Sequence, residues 1–131
     1  MARVTITQDD MDRSRIINPG KYLINVADYE EQAAGTDGSA LYVYQLRVAE
    51  GKEKGTIMRY QVSEKAVGMG IEFWEACGAK IAAGSPLDPA FAKGKTCFAF
   101  VQRGEYKGKP QNVPVSFAKY ESSASTESVK L

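Results

Sequence analysis

LYVYQLRVAEGKEKGTIMRYQVS, residues 41–63, decides the fold. Its first half is rich in aromatic and β-branched residues, the composition of a pleated, half-buried strand. Tyr44, Leu46 and Val48 alternate with Gln45 and Arg47, which predicts one face turned to a core and one to solvent. GKEKG, residues 51–55, is a tight polar turn. After it Met58, Tyr60 and Val62 alternate with Ile57, Arg59 and Gln61, so a second strand returns beside the first.

The pattern extends in both directions. Pro19-Gly20 marks a turn, and KYLINVADYEE alternates Tyr22, Ile24 and Val26 with Lys21, Asn25 and Ala27. This is a first strand, joined to the second by the small, polar loop 33–40, AAGTDGSA. Beyond Ser63 the period changes. Val67, Ile71, Trp74 and Cys77 recur at helical spacing, Glu72 and Glu75 lie opposite, and Gly78 suits a C-cap. AFAKGK holds at most a single turn; TCFAFVQR is a fourth strand, RGEYKGKP its turn, and QNVPVSFAKY a fifth. Pro114 in that last run predicts an edge position or a bulge.

A β-β-β-α-β-β order, with one helix between strands 3 and 4, describes a mainly β protein built as a five-stranded Greek-key barrel, the OB-fold. An α+β sandwich has the same element types. The expected organisation is an N-terminal arm over 1–18, with a short alternating piece at Val4 and Ile6, the barrel over 19–120 and a polar tail over 121–131.

Composition removes several functions. The 131 residues contain no histidine, which excludes Ser-His and Cys-His nucleophile pairs and histidine metal ligands. Asp88 before Lys93 and Lys95 lacks the second carboxylate of a metal-dependent nuclease pattern, and no glycine-rich phosphate cradle occurs. Cys77 and Cys97 match no zinc spacing and read as reduced, buried small hydrophobes. No cofactor is called for, and a non-enzymatic role is expected. No apolar run reaches the roughly 18–20 residues of a membrane span, and the N-terminus does not read as a signal peptide, so a cytoplasmic location is expected.

Net charge is only +1, but it is unevenly spread. Residues 1–42 carry −3, whereas 93–119 carry six cations against Glu105 alone, a net +5. Sequence-tolerant binding of single-stranded nucleic acid needs cations along the phosphates and aromatic faces for the bases. In an OB barrel loops 1–2 and 4–5 flank a binding face around strands 2 and 3. The expected contacts are therefore Arg47 and Arg59 on those strands, Arg103, Lys107 and Lys109 on the last hairpin, and Lys21 beside them. Tyr106 is the leading stacking residue, with Gly104 and Gly108 allowing the bend; Tyr44 is a second, its parity open to a bulge.

From Pro19 to Tyr120 the chain resembles the phage and prophage family of small OB-fold single-stranded DNA-binding proteins. The likeness rests on PGKYLINV, LYVYQLRVAEGKEKGTIMRY, ACGA, the GK before strand 4, and EYKGKP leading into NVPVSF. It implies a protein of phage replication or recombination whose partners are single-stranded DNA and proteins of those processes. The tail lacks the acidic tip of bacterial single-strand binding proteins, so that recruitment is not implied. Pairing through an edge strand or the barrel back leaves a homodimer open. The alternative is a protein-interaction or virion structural module on the same barrel.

Overall fold

The computed structural model of the chain describes residues 5–34, 38–84 and 86–120. The expectations for Val4, the centre of the first loop and the tail from 121 onward lie outside them. Five strands form: β1 (Gly20–Ala34), β2 (Ser39–Val48), β3 (Ile57–Ser63), β4 (Thr96–Tyr106) and β5 (Lys109–Lys119). They make one antiparallel sheet in the order β3-β2-β1-β4-β5. Two short helices accompany it, α1 (Gln8–Ser14) and α2 (Ile71–Ala76), with 3-10 turns at Glu64–Gly70 and Pro89–Ala92.

The sheet is curled but open: among the described residues no strand pairing joins β3 to β5. Side chains bridge the gap instead. Tyr60 of β3 meets Phe117 of β5 at 4.7 Å between ring centroids, and Phe73 of α2 lies 5.0 and 4.8 Å from the two. The Phe117 N–H, an edge donor, bonds to the Glu72 carboxylate at 3.0 Å. A helix side chain thus satisfies a group that a closing strand would otherwise take. Glu72, expected on the solvent side of the helix, performs this task.

Tyr44, Leu46, Val48, Met58 and Val62 all point into the core, as their alternation predicts. The register of β1 on β2 slips between Val26 and Asp28, leaving Ala27 as the extra residue. Ile24 and Val26 are inward before it and Tyr29 after it, where Tyr29 packs on Tyr44 at 5.2 Å. A second slip falls beside Pro114, which pairs with Val101 on the edge strand β5. Both consequences expected of that proline, an edge and a bulge, occur together.

The helical segment differs from its expected facing. Phe73, Trp74, Ala76 and Cys77 are buried, whereas Val67 is 46% exposed and Ile71 38%. Residues 64–70 form 3-10 turns broken by a kink at Ala66 (φ −137°, ψ 45°), so a 3.6-residue phase cannot run through them. Gly70, where that segment passes into α2, packs so closely that a Cβ there would sit 2.9 Å from Val62 Cγ2. Val67 and Ile71 instead line a shallow apolar groove with Tyr42, Ile81 and Leu87.

The arm is also more than a polar extension. Thr7 and Asp10 form a capping box that starts α1, each side chain bonding the other's backbone N–H. Asp12 and Ile17 are buried, 4% and 2% exposed. Cys77 and Cys97 are free and buried; the Cys97 side chain beside it, and burial itself, push the Cys77 thiol up. Among the described residues no helix is long and apolar enough to cross a membrane.

Candidate nucleic-acid interface

The outward face of β2 and β3 is occupied by α1. Arg47 donates to the Asp12 carboxylate at 3.3 Å and to the Gly55 carbonyl at 3.2 Å. Arg15 reaches the same carboxylate at 3.0 Å and the Thr56 hydroxyl at 3.1 Å, and Arg13 donates to Gln45 at 3.3 Å. Ile57 has the outward parity of Arg59 yet is only 4% exposed, at the end of β3 where the helix packs. Arg47 is therefore an anchor for the arm, with its side chain still 37% exposed. Arg59 remains exposed on β3, paired in register with Gln45.

The expectation that Tyr44 offers a stacking face is corrected. It is fully buried, donates its hydroxyl proton to the Pro89 carbonyl at 2.8 Å, and accepts from Trp74 Nε1 at 2.9 Å. Burial drives its hydroxyl well above the ordinary tyrosine range. No base can stack on a ring enclosed by Tyr29 and Phe73. The bulge at Ala27 explains its enclosure: it brings Tyr29 across from Tyr44 on the inner face.

The β4–β5 hairpin is tighter than expected. Both strands run on to Tyr106 and Lys109, leaving only Lys107 and Gly108 as the turn. Both have positive φ, 52° and 79°. A two-residue hairpin with that geometry favours Asn or Gly at its first position, so a lysine there is held in a strained, left-handed conformation. Lys107 and Lys109 are exposed at this tip. Gly104 does not bend the chain; it lies within β4, where a Cβ would sit 2.5 Å from Val113 Cγ2. Tyr106 ends β4 opposite Lys109, and its side chain lies outside what is described.

Arg103 donates to the Ile17 carbonyl at 3.3 Å, while its register partner Asn112 bonds the Ile17 N–H at 3.0 Å and the Arg15 carbonyl at 2.7 Å. Like Arg47, Arg103 fastens the arm, although it stays exposed.

Lys21 falls elsewhere from the strand 2 and 3 cations. It lies on the outer face of β1, with Nζ 4.3 Å from the Phe98 ring centroid and 5.8 Å from that of Phe100. Phe98 in turn meets Tyr120 edge-on at 5.6 Å. Phe98 and Phe100 are half-buried, and Tyr120 is 41% exposed. β4 turns its small residues, Cys97 and Ala99, inward and its phenylalanines outward. Phe98, Phe100 and Tyr120 were not among the residues expected at the interface. The signal was present as the strict small–large alternation C-F-A-F, but aromatic residues in a strand are read first as core.

An open cleft of about 480 Å³ adjoins this strip, lined by Lys21, Tyr22, Phe98, Glu50, Lys52 and Glu53 among others. Among the described residues no three His, Cys, Asp or Glu side chains gather as a metal-ligand set. No protein-family model matches the chain, and no curated protein matches its sequence.

Proposed function

We propose that this protein binds single-stranded DNA with little sequence preference, as a non-enzymatic cytoplasmic protein of phage replication or recombination. The underlying fold would be an OB-type barrel, in which β3 and β5 are the edges brought together. The strand order and the Tyr60–Phe117 contact support that reading.

The observation that carries the function is Lys107 at φ 52°. A non-glycine residue in that region costs roughly 1–2 kcal/mol, and asparagine or glycine would relieve much of it. A cation retained there, next to Lys109 and in a segment of net +5, suits a tip that meets phosphates.

A titration of fluorescently labelled oligo(dT) at two salt concentrations tests the proposal. Affinity falls steeply with salt, and reversal of Lys107 and Lys109 to glutamate lowers the slope of log K against log salt by about 1.4, at 0.7 per phosphate lost on a single strand. The same reversal at Lys65 and Lys80 changes the slope far less. Absence of binding even at low salt overturns the proposal. Lys107→Gly gives a separate signature: it stabilises the fold by about 1 kcal/mol while weakening DNA binding.

One observation favours the alternative of a protein-interaction or virion module. Val67, Met69 and Ile71 are exposed side by side near α2, Met69 at 78%.

A further inference from the structure

We infer that the bases of the bound strand stack on the outer face of β1, β4 and β5, on Phe98, Phe100 and Tyr120, and not across β2 and β3. The inference rests on the reading of the protein as a single-strand binder and assigns its base-contacting surface.

Three observations carry it. The first is the inverted facing of β4. Cys97 and Ala99 are completely buried while Phe98 and Phe100 stand on the solvent side. Full burial of a phenylalanine side chain would stabilise a fold. A strand serving the core alone would have its large side chains inward, so this one keeps ring faces for the outside.

The second is the cation among the rings. Lys21 Nζ sits over the Phe98 ring at 4.3 Å and 5.8 Å from that of Phe100, so a base stacking on Phe98 would displace the flexible lysine from the ring and leave its ammonium free to meet the adjoining phosphate. Across the adjoining cleft stand Glu50, Glu53 and Lys52. Two carboxylates repel a phosphate, so that wall suits the base and leaves the backbone on the Lys21 side. The cleft volume, about 480 Å³, falls within the roughly 300–1,000 Å³ that small-ligand clefts occupy.

The third is the state of the other face. β2 and β3 carry α1 on their outside, and Asp12 of that helix is paired with both Arg15 and Arg47. Arg47, the cation that would have met a phosphate there, is held by Asp12. The helix therefore covers much of β2–β3, and the course left open to a phosphate backbone runs from Lys21 along β4 toward Lys107 and Lys109. From Phe98 to the tip is nine residues of strand, about 30 Å, a length compatible with the roughly 4–16 nucleotides that one OB-type domain covers.

The experiment compares oligo(dT) affinity for the unaltered protein, Phe98→Leu, Phe100→Leu, their double variant, Phe98→Tyr and Arg59→Glu, with sedimentation velocity on each. Leucine preserves the apolar contact under each ring, so folding is retained, and near-UV circular dichroism checks it. Each leucine variant is expected to lose about 5- to 150-fold in affinity, the equivalent of 1–3 kcal/mol per stacked base. Phe98→Tyr should bind within about threefold of the unaltered protein, because the ring face remains. Retained affinity in the double leucine variant with a large loss in Arg59→Glu overturns the inference and places the strand over β2–β3. Unchanged affinity with a dimer falling to monomer overturns it too, making the strip a contact between copies of this chain. If the unaltered protein binds no oligo(dT) at low salt, the binding function itself falls, a result distinct from either.

Discussion

The two halves of the sheet's outer surface are treated in opposite ways. Over β2 and β3 a helix is fastened down, and two outward side chains of β2 are taken up by it: Arg47 by Asp12, Gln45 by Arg13. Over β1, β4 and β5 among the described residues no helix is laid, and aromatic rings stand outward around a lysine. The inner faces differ correspondingly. β2 fills the core with Tyr44 and Leu46, while β4 contributes the smaller Cys97, Ala99 and Val101. The lesson is that an aromatic residue's role in this chain follows from its parity, not its type.

That contrast is broken most severely from the inside. Phe73 is fully buried between Tyr44, Tyr60 and Phe117. Phe73→Ala should lower stability by about 3–5 kcal/mol, whereas Phe98→Ala on the outer face should cost about 1 kcal/mol. Urea denaturation of both variants checks the difference, and equal losses would show that Phe98 is a core residue after all.

Next in size is Gly104→Ala. The added methyl must displace Val113, at about 1–3 kcal/mol. The double variant Gly104→Ala with Val113→Ala should recover part of that loss, which a role for Gly104 in bending the chain would not allow.

Asp12→Asn tests the fastening of α1. Removing one partner of a buried ion pair costs about 3–5 kcal/mol. Arg15 and Arg47 here remain 34% and 37% exposed, so about 1–2 kcal/mol is expected. Trypsin should then cut faster after Arg13 and Arg15. Oligo(dT) affinity should stay level, since the strand does not need the β2–β3 face; a rise would mean that the helix competes with it.

The smallest effect concerns pH. The Thr7 backbone N–H, followed by its hydroxyl, holds the Asp10 carboxyl below its ordinary value of 3.8. A lowered carboxyl stabilises the folded state above that ordinary value and loses its contribution as pH falls through the lowered one. The Thr7 amide shift should therefore titrate below pH 3.8, and remain flat in Asp10→Asn.

Much of the sheet was legible because period-2 alternation is a local property. Tyr44, Leu46, Val48, Met58 and Val62 could be turned inward from their spacing alone. The arm was not, since QDDMDRS has no apolar stripe; its helix depends on the Thr7–Asp10 cap and on Asp12 finding Arg47, 35 residues away. For the interface, the cations of the hairpin were legible as charge. The outward phenylalanines were not, because the parity of β4 is fixed by its register with β1, in which Ile24 meets Cys97 and Lys21 meets Phe100. That Arg47 and Arg103 also fasten the arm was not legible, because their partners there are remote in sequence.

The hydrogen-bond chain from Trp74 through Tyr44 to Pro89 has a spectroscopic consequence. Trp74 is the only tryptophan and is 4% exposed, so its emission reports the integrity of the core. Unfolding should shift that emission to the red. A strand laid over Phe98 and Phe100 should leave it almost unchanged, which makes the protein's own fluorescence a silent channel for binding and a clean one for stability.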